Sequence, residues 1–133
     1  DVVNELLTKH QLLVLEILVA ASKPQTAYSL LDQLSEHGLK APPQIYRALE
    51  KLLALGFIHK LESINSFVAC QHRDCMHQIS GFMICDSCDQ VSEIIDNNLE
   101  SQVKKMAKRA GLVPSKSTME IHGLCRTCNN DSA

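Results

Sequence analysis

The chain has 133 residues, of which 45% are hydrophobic and 21% charged, and its formal net charge is −2. This composition predicts a folded globular protein rather than a disordered one. The sequence has no apolar run near the roughly 20 residues that span a bilayer, and its start lacks the basic-then-apolar order of a secretory signal. We therefore expect a cytoplasmic protein with no membrane partner. Because the first residue is not Met, we also expect a further segment before Asp1.

Three helices are predicted in the N-terminal half. Residues 9–21 are apolar on nearly all sides, which predicts a buried helix that Pro24 ends. Thr26 is a favourable N-cap for a second helix, and Gly38 is a favourable stop for it. A third helix is predicted over residues 42–56, with proline in its first turn and an apolar stripe at helical spacing.

A β-hairpin is predicted directly after these helices. Residues 57–62 and 66–70 are short runs rich in β-forming residues, and the turn-like sequence "SIN" joins them. Three helices followed by a hairpin form the outline of a winged helix-turn-helix. Such a domain places one helix in the major groove of DNA.

The polar face of the third predicted helix contains candidate DNA contacts. Once the apolar stripe is buried, Gln44, Tyr46 and Arg47 remain on the outside. Gln and Arg side chains near a helix N-terminus can reach base edges, and Tyr can reach phosphates. The alternative interpretation is an ordinary solvated face. The slightly negative net charge means that any DNA binding depends on where the cations lie rather than on bulk positive charge.

The second half has the pattern of a small α+β unit. Strands are predicted at 81–85 and 90–95, a helix at 98–111, and a last strand at 117–125. One side of the helix is predicted to be formed by Leu99, Val103, Met106 and Ala110. Because this unit could extend its sheet with that of a second copy, we expect a homodimer formed through the C-terminal half.

Two Cys-x-x-Cys pairs predict a structural zinc site. Cys85 and Cys88 form the first pair, and Cys125 and Cys128 form the second. Four thiolates on two such turns complete a tetrahedron with no open position, which is typical of structural zinc. The alternatives are two unrelated cysteine pairs or a thioredoxin-like redox pair. The redox alternative is disfavoured because neither pair is predicted to follow a strand and enter a helix.

Further metal-ligand residues cluster where the two halves join. They are His59, Cys70, His72, Cys75, His77 and Glu93. Their convergence favours a second metal site whose ligands come from both domains. A local site formed by Cys70, His72, Cys75 and His77 is the competing hypothesis, because it needs no long-range geometry.

Three segments carry a family resemblance. They are "PPQIYRALEKLLALGFIHKLES", "ICDSCDQVSEI" and "IHGLCRTC". In this order and spacing the chain resembles the ferric uptake regulator family of bacterial metal-sensing repressors, and within it the zinc-sensing branch most closely. The likeness covers nearly the whole chain. It also implies a helix before "LTKHQ" that is largely missing here.

The resemblance implies a fold and a domain organisation. The fold class is α+β, with a winged helix-turn-helix DNA-binding domain at 1–70, a hinge at 71–79 and a C-terminal dimerisation domain with a four-cysteine zinc site at 80–133. It also implies a regulatory zinc with ligands His59, Cys70 and Glu93. A loop histidine completes this set, and His77 is nearest to its position, with His72 as the alternative. The resemblance gives Cys75 no role.

The function implied is zinc-responsive repression. The resemblance implies a zinc-loaded dimer, with about two zinc ions per chain, that binds an AT-rich inverted repeat in operator DNA and shuts off zinc-uptake genes. Tyr46 and Arg47 are the implied DNA contacts, and Gln44 reads bases or supports those that do. The sequence has no evident catalytic triad, so an enzyme is not expected. The alternatives are a family member that senses another metal or peroxide, and a zinc-stabilised protein-interaction module.

Overall fold

The computed structural model describes residues 6–70, 79–94 and 96–131, and the chain divides into two compact units, Asp1–Met76 and His77–Ala133. We call them unit 1 and unit 2. The predicted hinge at 71–79 lies almost entirely outside the described residues. Within the described ranges, no helix combines the length and the apolar character needed to cross a membrane.

Unit 1 contains the three predicted helices, and its described residues form α1 (Lys9–Ala20), α2 (Ala27–Leu34) and α3 (Pro42–Ala54). The Thr26 hydroxyl accepts a hydrogen bond from the Ser29 amide at 3.0 Å, so it caps α2 as predicted. After α2 the chain continues as a 3₁₀ turn over Ser35–His37. The chain then reverses at Gly38, whose φ of 96° lies in the left-handed region that favours glycine.

The core of unit 1 is formed by the apolar stripes of the three helices. The stripe residues of α2 and α3 that are buried include Leu30, Leu34, Ile45, Leu49 and Leu52, and Val14 and Leu18 of α1 pack with them. Several of these side chains are fully excluded from solvent. At about 25 cal/mol per Å² of apolar surface buried, this packing is the main stabilising contribution to the unit.

The predicted wing is present as an antiparallel hairpin of β1 (Ile58–Leu61) and β2 (Ser66–Ala69). A 3₁₀ turn over residues 62–64 and Asn65 in the left-handed conformation, with φ of 47°, connect the strands. The hairpin is tied to the connection between α1 and α2 by two backbone hydrogen bonds between Gln25 and Phe67, at 2.8 and 3.0 Å. Unit 1 is therefore a winged helix-turn-helix.

Unit 2 is a three-stranded sheet with one long helix and one short helix among its described residues. The elements are β3 (Ile79–Cys85), β4 (Val91–Ile94), α4 (Asn97–Arg109), β5 (Ser117–Gly123) and α5 (Arg126–Asp131). The strand order is β4-β3-β5, with β4 antiparallel and β5 parallel to the central β3. The connection through α4 makes the parallel pairing possible.

The prediction for the buried side of α4 was partly wrong. Leu99, Val103 and Ala107 are half-buried, whereas Met106 is 57% exposed and Ala110 is exposed. The helix thus packs along its i, i+4, i+8 row. A Cβ at Gly81 would lie 3.2 Å from Ile94 and 3.4 Å from Leu99, so glycine permits the close approach of these side chains to β3.

Candidate metal centres and nucleic-acid interface

The parallel pairing of β3 and β5 brings the two cysteine pairs together. Cys85 is the last residue of β3 and is in register with Gly123, the last residue of β5. Both strands therefore end at the same edge of the sheet, and Cys125 follows two residues after Gly123. The amide of Asp86 donates to the carbonyl of Gly123 at 2.7 Å, which joins the two turns at their base.

Each pair is held by its own local structure. In the first turn, the Cys85 carbonyl accepts from the Asp89 amide at 3.0 Å, and Asp89 has a left-handed φ of 62°. In the second turn, Cys128 lies within α5, and the Cys125 carbonyl accepts from the Asn129 amide at 2.9 Å. We name these turns the Cys85 knuckle (residues 85–88) and the Cys125 knuckle (residues 125–128).

The Cys125 knuckle corrects one premise of the sequence analysis. This pair does follow a strand and enter a helix, because β5 ends at Gly123 and α5 begins at Arg126. Helix α5 has six residues, fewer than two turns, so no periodicity in the sequence signals it. The convergence of four sulfurs, rather than the secondary structure, disfavours a redox pair.

The four sulfurs of the knuckles have the geometry of a metal site. None of the four cysteines forms a disulfide, and their Sγ atoms lie within 4.8 Å of one another. The Sγ atoms of Cys88 and Cys125 are 3.9 Å apart. A tetrahedral zinc with Zn–S bonds of about 2.3 Å requires sulfur separations of about 3.8 Å. The residues present therefore fit zinc in a closed, four-thiolate site.

The electrostatics of the cluster also favour a bound cation. Backbone amides of Cys125 and Cys88 donate to the Cys85 sulfur and lower its pKa to about 6. For Cys128, a hydrogen bond with Ser87 lowers the pKa, but the neighbouring sulfurs of Cys125 and Cys85 outweigh it and raise the pKa to about 12. Four adjacent thiols do not all ionise by themselves. A divalent cation removes this conflict because it stabilises every thiolate at once.

Two of the predicted regulatory ligands lie together in unit 1. His59 is on β1 and Cys70 follows β2, and a ring nitrogen of His59 lies within 4.8 Å of the Cys70 Sγ. The Cys70 amide donates to the Phe57 carbonyl at 2.9 Å, which fixes the end of the hairpin. Cys70 is disulfide-bonded in this structure. A metal site that uses Cys70 needs the reduced thiolate.

The remaining predicted regulatory ligands are Glu93 and a loop histidine. Glu93 belongs to unit 2, where it is half-buried on β4, opposite Phe82 of β3. His77, its alternative His72, and Cys75 all lie outside the described residues. The loop ligand of the regulatory site therefore stays a prediction.

The candidate DNA-binding face of α3 is accessible. Tyr46 is 43% exposed and Arg47 is exposed, while their neighbours Ile45 and Ala48 are buried. Gln44 has a structural role that the sequence analysis did not foresee. Its side-chain oxygen accepts from the amides of Lys40 and Ala41, at 2.9 and 3.1 Å, and so caps the N-terminus of α3.

The winged helix-turn-helix and the four-cysteine cluster together define a class of protein, a winged-helix protein with a zinc-binding C-terminal unit. The sequence profile of the Ferric uptake regulator family matches residues 6–122. The chain belongs to this family.

The similar curated proteins include regulators named for zinc uptake. The Zinc uptake regulation protein of Escherichia coli (strain K12) is 39% identical over 126 residues, which cover 94% of this chain and 74% of that protein. The Zinc uptake regulation protein of Mycobacterium tuberculosis (strain ATCC 25618 / H37Rv) is 23% identical over 124 residues, 92% of this chain and 94% of that protein.

Two solved structures agree closely with the fold. The crystal structure of holo XcZur is 44% identical, with a TM-score of 0.85 over 93% of this chain and 86% of that one. A zinc uptake regulator complexed with zinc and DNA is 37% identical, with a TM-score of 0.87 over 94% of this chain and 84% of that one.

Proposed function

We propose that this protein is a zinc-responsive transcriptional repressor that binds operator DNA as a zinc-loaded homodimer and shuts off zinc-uptake genes. The observation that carries the proposal is the agreement with a zinc uptake regulator complexed with zinc and DNA, which extends over both units. The exposed face of α3 supports it. We assign Arg47 to contacts with base edges and Tyr46 to contacts with the backbone, because both are exposed, while Gln44 supports them by capping the helix.

The structural zinc is held by Cys85, Cys88, Cys125 and Cys128. When bound, it ties the end of β3 to the segment after β5 and supplies folding free energy to unit 2. The closed set of four sulfurs leaves no position for a substrate. We therefore assign the site a structural role rather than a catalytic one, and we propose that the protein acts in the cytoplasm.

The regulatory zinc is proposed to be held by His59, Cys70, Glu93 and the loop histidine, His77 or His72. The proximity of His59 to Cys70 supports this set, which draws ligands from both units. A soft thiolate ligand favours zinc over iron or manganese. If the DNA-competent dimer binds zinc more tightly than other conformations, its affinity for DNA rises with zinc by the same factor.

The homodimer is supported by the free edge of the unit 2 sheet. Among the described strands, β5 is an edge, and Met119, Ile121 and Leu124 on and after it are 36–49% exposed. An exposed apolar edge strand is a site for pairing with another chain. A second copy that packs there produces a two-fold dimer. The two-fold symmetry of this dimer matches the AT-rich inverted repeat that we propose as the operator.

A zinc titration of DNA binding tests the proposal. The reduced protein is mixed with an AT-rich inverted-repeat duplex and with a scrambled duplex, at zinc concentrations set by a metal buffer, and the shifted fraction is measured by electrophoresis. We expect zinc to promote binding to the repeat alone. Promotion by iron or manganese but not zinc would instead identify a sensor of another metal. If the protein bound no DNA under any condition, the remaining hypothesis would be a zinc-stabilised protein-interaction module.

Three variants test the regulatory ligands in the same titration. His59→Ala and Glu93→Ala should abolish zinc-dependent DNA binding but keep the structural zinc and the dimer, because neither residue belongs to the knuckles. Cys75→Ser is the control and should behave as wild type. The opposite pattern, loss with Cys75→Ser and none with His59→Ala, would favour the local cluster of Cys70, His72, Cys75 and His77.

A further inference from the structure

The two knuckles are linked by a side-chain contact that the zinc ligands do not explain. His122, on β5, and Asp86, directly after Cys85, are 36 positions apart in sequence, and their Nδ1 and Oδ1 atoms are 3.1 Å apart. The pair is not buried, since 35% of the His122 side chain and 58% of the Asp86 side chain are exposed. An isolated pair this exposed contributes little to stability.

The pair matters for where it lies rather than for its contribution to stability, because it joins the Cys85 knuckle to β5. The Asp86 amide donates to the carbonyl of Gly123, the residue after His122, at 2.7 Å. Asp86 therefore bonds to β5 twice, through its main chain to Gly123 and through its side chain to His122. The two bonds form one closed ring at the base of both knuckles. Cys85 lies beside this ring, and its Sγ accepts from the Cys125 amide at 3.3 Å.

The direction of the His122 bond follows from its partner. An ionised carboxylate has no proton to donate, so the His122 Nδ1–H must donate to Asp86 Oδ1. This requirement fixes which ring nitrogen carries a proton, and it holds the imidazole against the Cys85 knuckle. Contacts outside the ligand set also help to hold the ligands of a metal site in place.

We infer that Asp86 and His122 are positioning residues that keep the two knuckles together and slow the release of the structural zinc. Neither residue is a zinc ligand. A zinc held by four thiolates dissociates when one knuckle swings away from the other, and the ring of hydrogen bonds opposes that movement. The inference rests on the four-cysteine zinc site of the proposed function.

The rate of zinc release tests the inference. Zinc-loaded protein is mixed with excess chromogenic chelator, and the rate is recorded for wild type, His122→Ala, Asp86→Ala and the double variant. We expect each single variant to release zinc about two- to fivefold faster, since the bond that is lost is exposed. The double variant should be no faster than the faster single variant, because both changes break the same bond.

Two further variants separate the hydrogen bond from other effects. In His122→Asn the amide nitrogen takes the place of Nδ1 and keeps the donor, so zinc release should stay close to the wild-type rate. Glu100→Gln is the matched control, because Glu100 and Lys104 form an exposed ion pair of the same 3.1 Å length on α4, away from the knuckles. It should leave the rate unchanged.

The outcomes distinguish failure of the four-cysteine zinc site from failure of the inference about Asp86 and His122. Wild-type protein that holds no zinc on its knuckles overturns the zinc site and the inference with it. A zinc-loaded wild type whose release rate equals that of His122→Ala overturns only the inference. If His122→Ala fails to fold or to load zinc while His122→Asn loads normally, the hydrogen bond is supported. Equal failure of both variants overturns it.

Discussion

Unit 1 buries a continuous set of apolar side chains from three helices and the wing, whereas the described residues of unit 2 bury Phe82, Ile84 and Cys85 and little else that is apolar. The difference lies in the source of stability. Unit 1 is folded by the burial of apolar surface, and unit 2 needs the metal and its partner copy to compensate for a small core. The two halves of one short chain therefore respond to different perturbations.

Loss of a zinc ligand should have the largest effect. In Cys128→Ser we expect the structural zinc to be lost, because a site of this kind contributes roughly 10–16 kcal/mol of apparent binding free energy to folding. Unit 2 should unfold and the dimer should dissociate, while the helical signal of unit 1 persists. Zinc analysis, sedimentation and circular dichroism measure these effects. Cys70→Ser is the control that should keep the structural zinc and the dimer, because Cys70 lies outside the knuckles. A well-folded, zinc-loaded Cys128→Ser dimer would contradict the four-cysteine site.

A cavity in unit 1 should have the next largest effect. Leu52 on α3 is fully buried, so Leu52→Ala should reduce the free energy of unfolding by about 2–5 kcal/mol. Val19→Ala, at a site 67% exposed on α1, should change it by no more than about 0.5 kcal/mol. Denaturant titration followed by circular dichroism measures both. Zinc content should stay the same, and its loss in Leu52→Ala would show that the units do not fold independently.

A change on the exposed face of α3 should affect DNA binding alone. Arg47→Ala should weaken binding to the operator by about 1–3 kcal/mol if the guanidinium contacts a base, with zinc content and dimerisation unchanged. Glu50→Gln, at an exposed position one turn further along α3, removes a negative charge and should not weaken binding. Fluorescence anisotropy with a labelled duplex measures both affinities. Equal affinity of Arg47→Ala and wild type would place the DNA contact elsewhere.

Loss of a helix cap should have the smallest effect and should stay within its own unit. Thr26→Ala removes the acceptor for the Ser29 amide and should lower the stability of unit 1 by about 1 kcal/mol. In unit 2, Asp96→Ala removes the acceptor for the Asn98 amide at the start of α4. Hydrogen exchange should show faster opening of α2 in the first variant and of α4 in the second. Faster exchange in α4 of Thr26→Ala, or in α2 of Asp96→Ala, would argue against separate sources of stability for the two units.

The sequence predicted unit 1 well because its signals are local. The stripe of α3, the Thr26 cap and the glycine after α2 each determine structure within a few residues, and all three are present. The four-cysteine site was predicted equally well, because the Cys-x-x-Cys spacing is itself typical of zinc ligands. The family resemblance added the fold class and the zinc, and the comparisons confirm both.

The features that were not predicted depend on distant residues or on very short elements. The parallel pairing of β3 with β5 is a long-range contact, and no local pattern specifies it. Met106 lies on the apolar side of α4 by sequence, but it is exposed, and the half-buried row of the helix includes Ala107 instead. Gln44 has the appearance of a base-reading residue, yet its oxygen is committed to the cap, a choice that depends on the exact start of α3.

The order of the strands in unit 2 has a consequence for synthesis on the ribosome. The central strand β3 is made early, but its parallel neighbour β5 and the Cys125 knuckle emerge only after β4 and α4. Unit 1, whose described helices and strands end at Ala69, can fold while this happens, as N-terminal domains generally do. The two thiols of the Cys85 knuckle therefore stay exposed until the Cys125 knuckle has been synthesised. Zinc capture becomes the last step of maturation, and a cell short of zinc would accumulate chains with a folded winged helix and an unfinished second half.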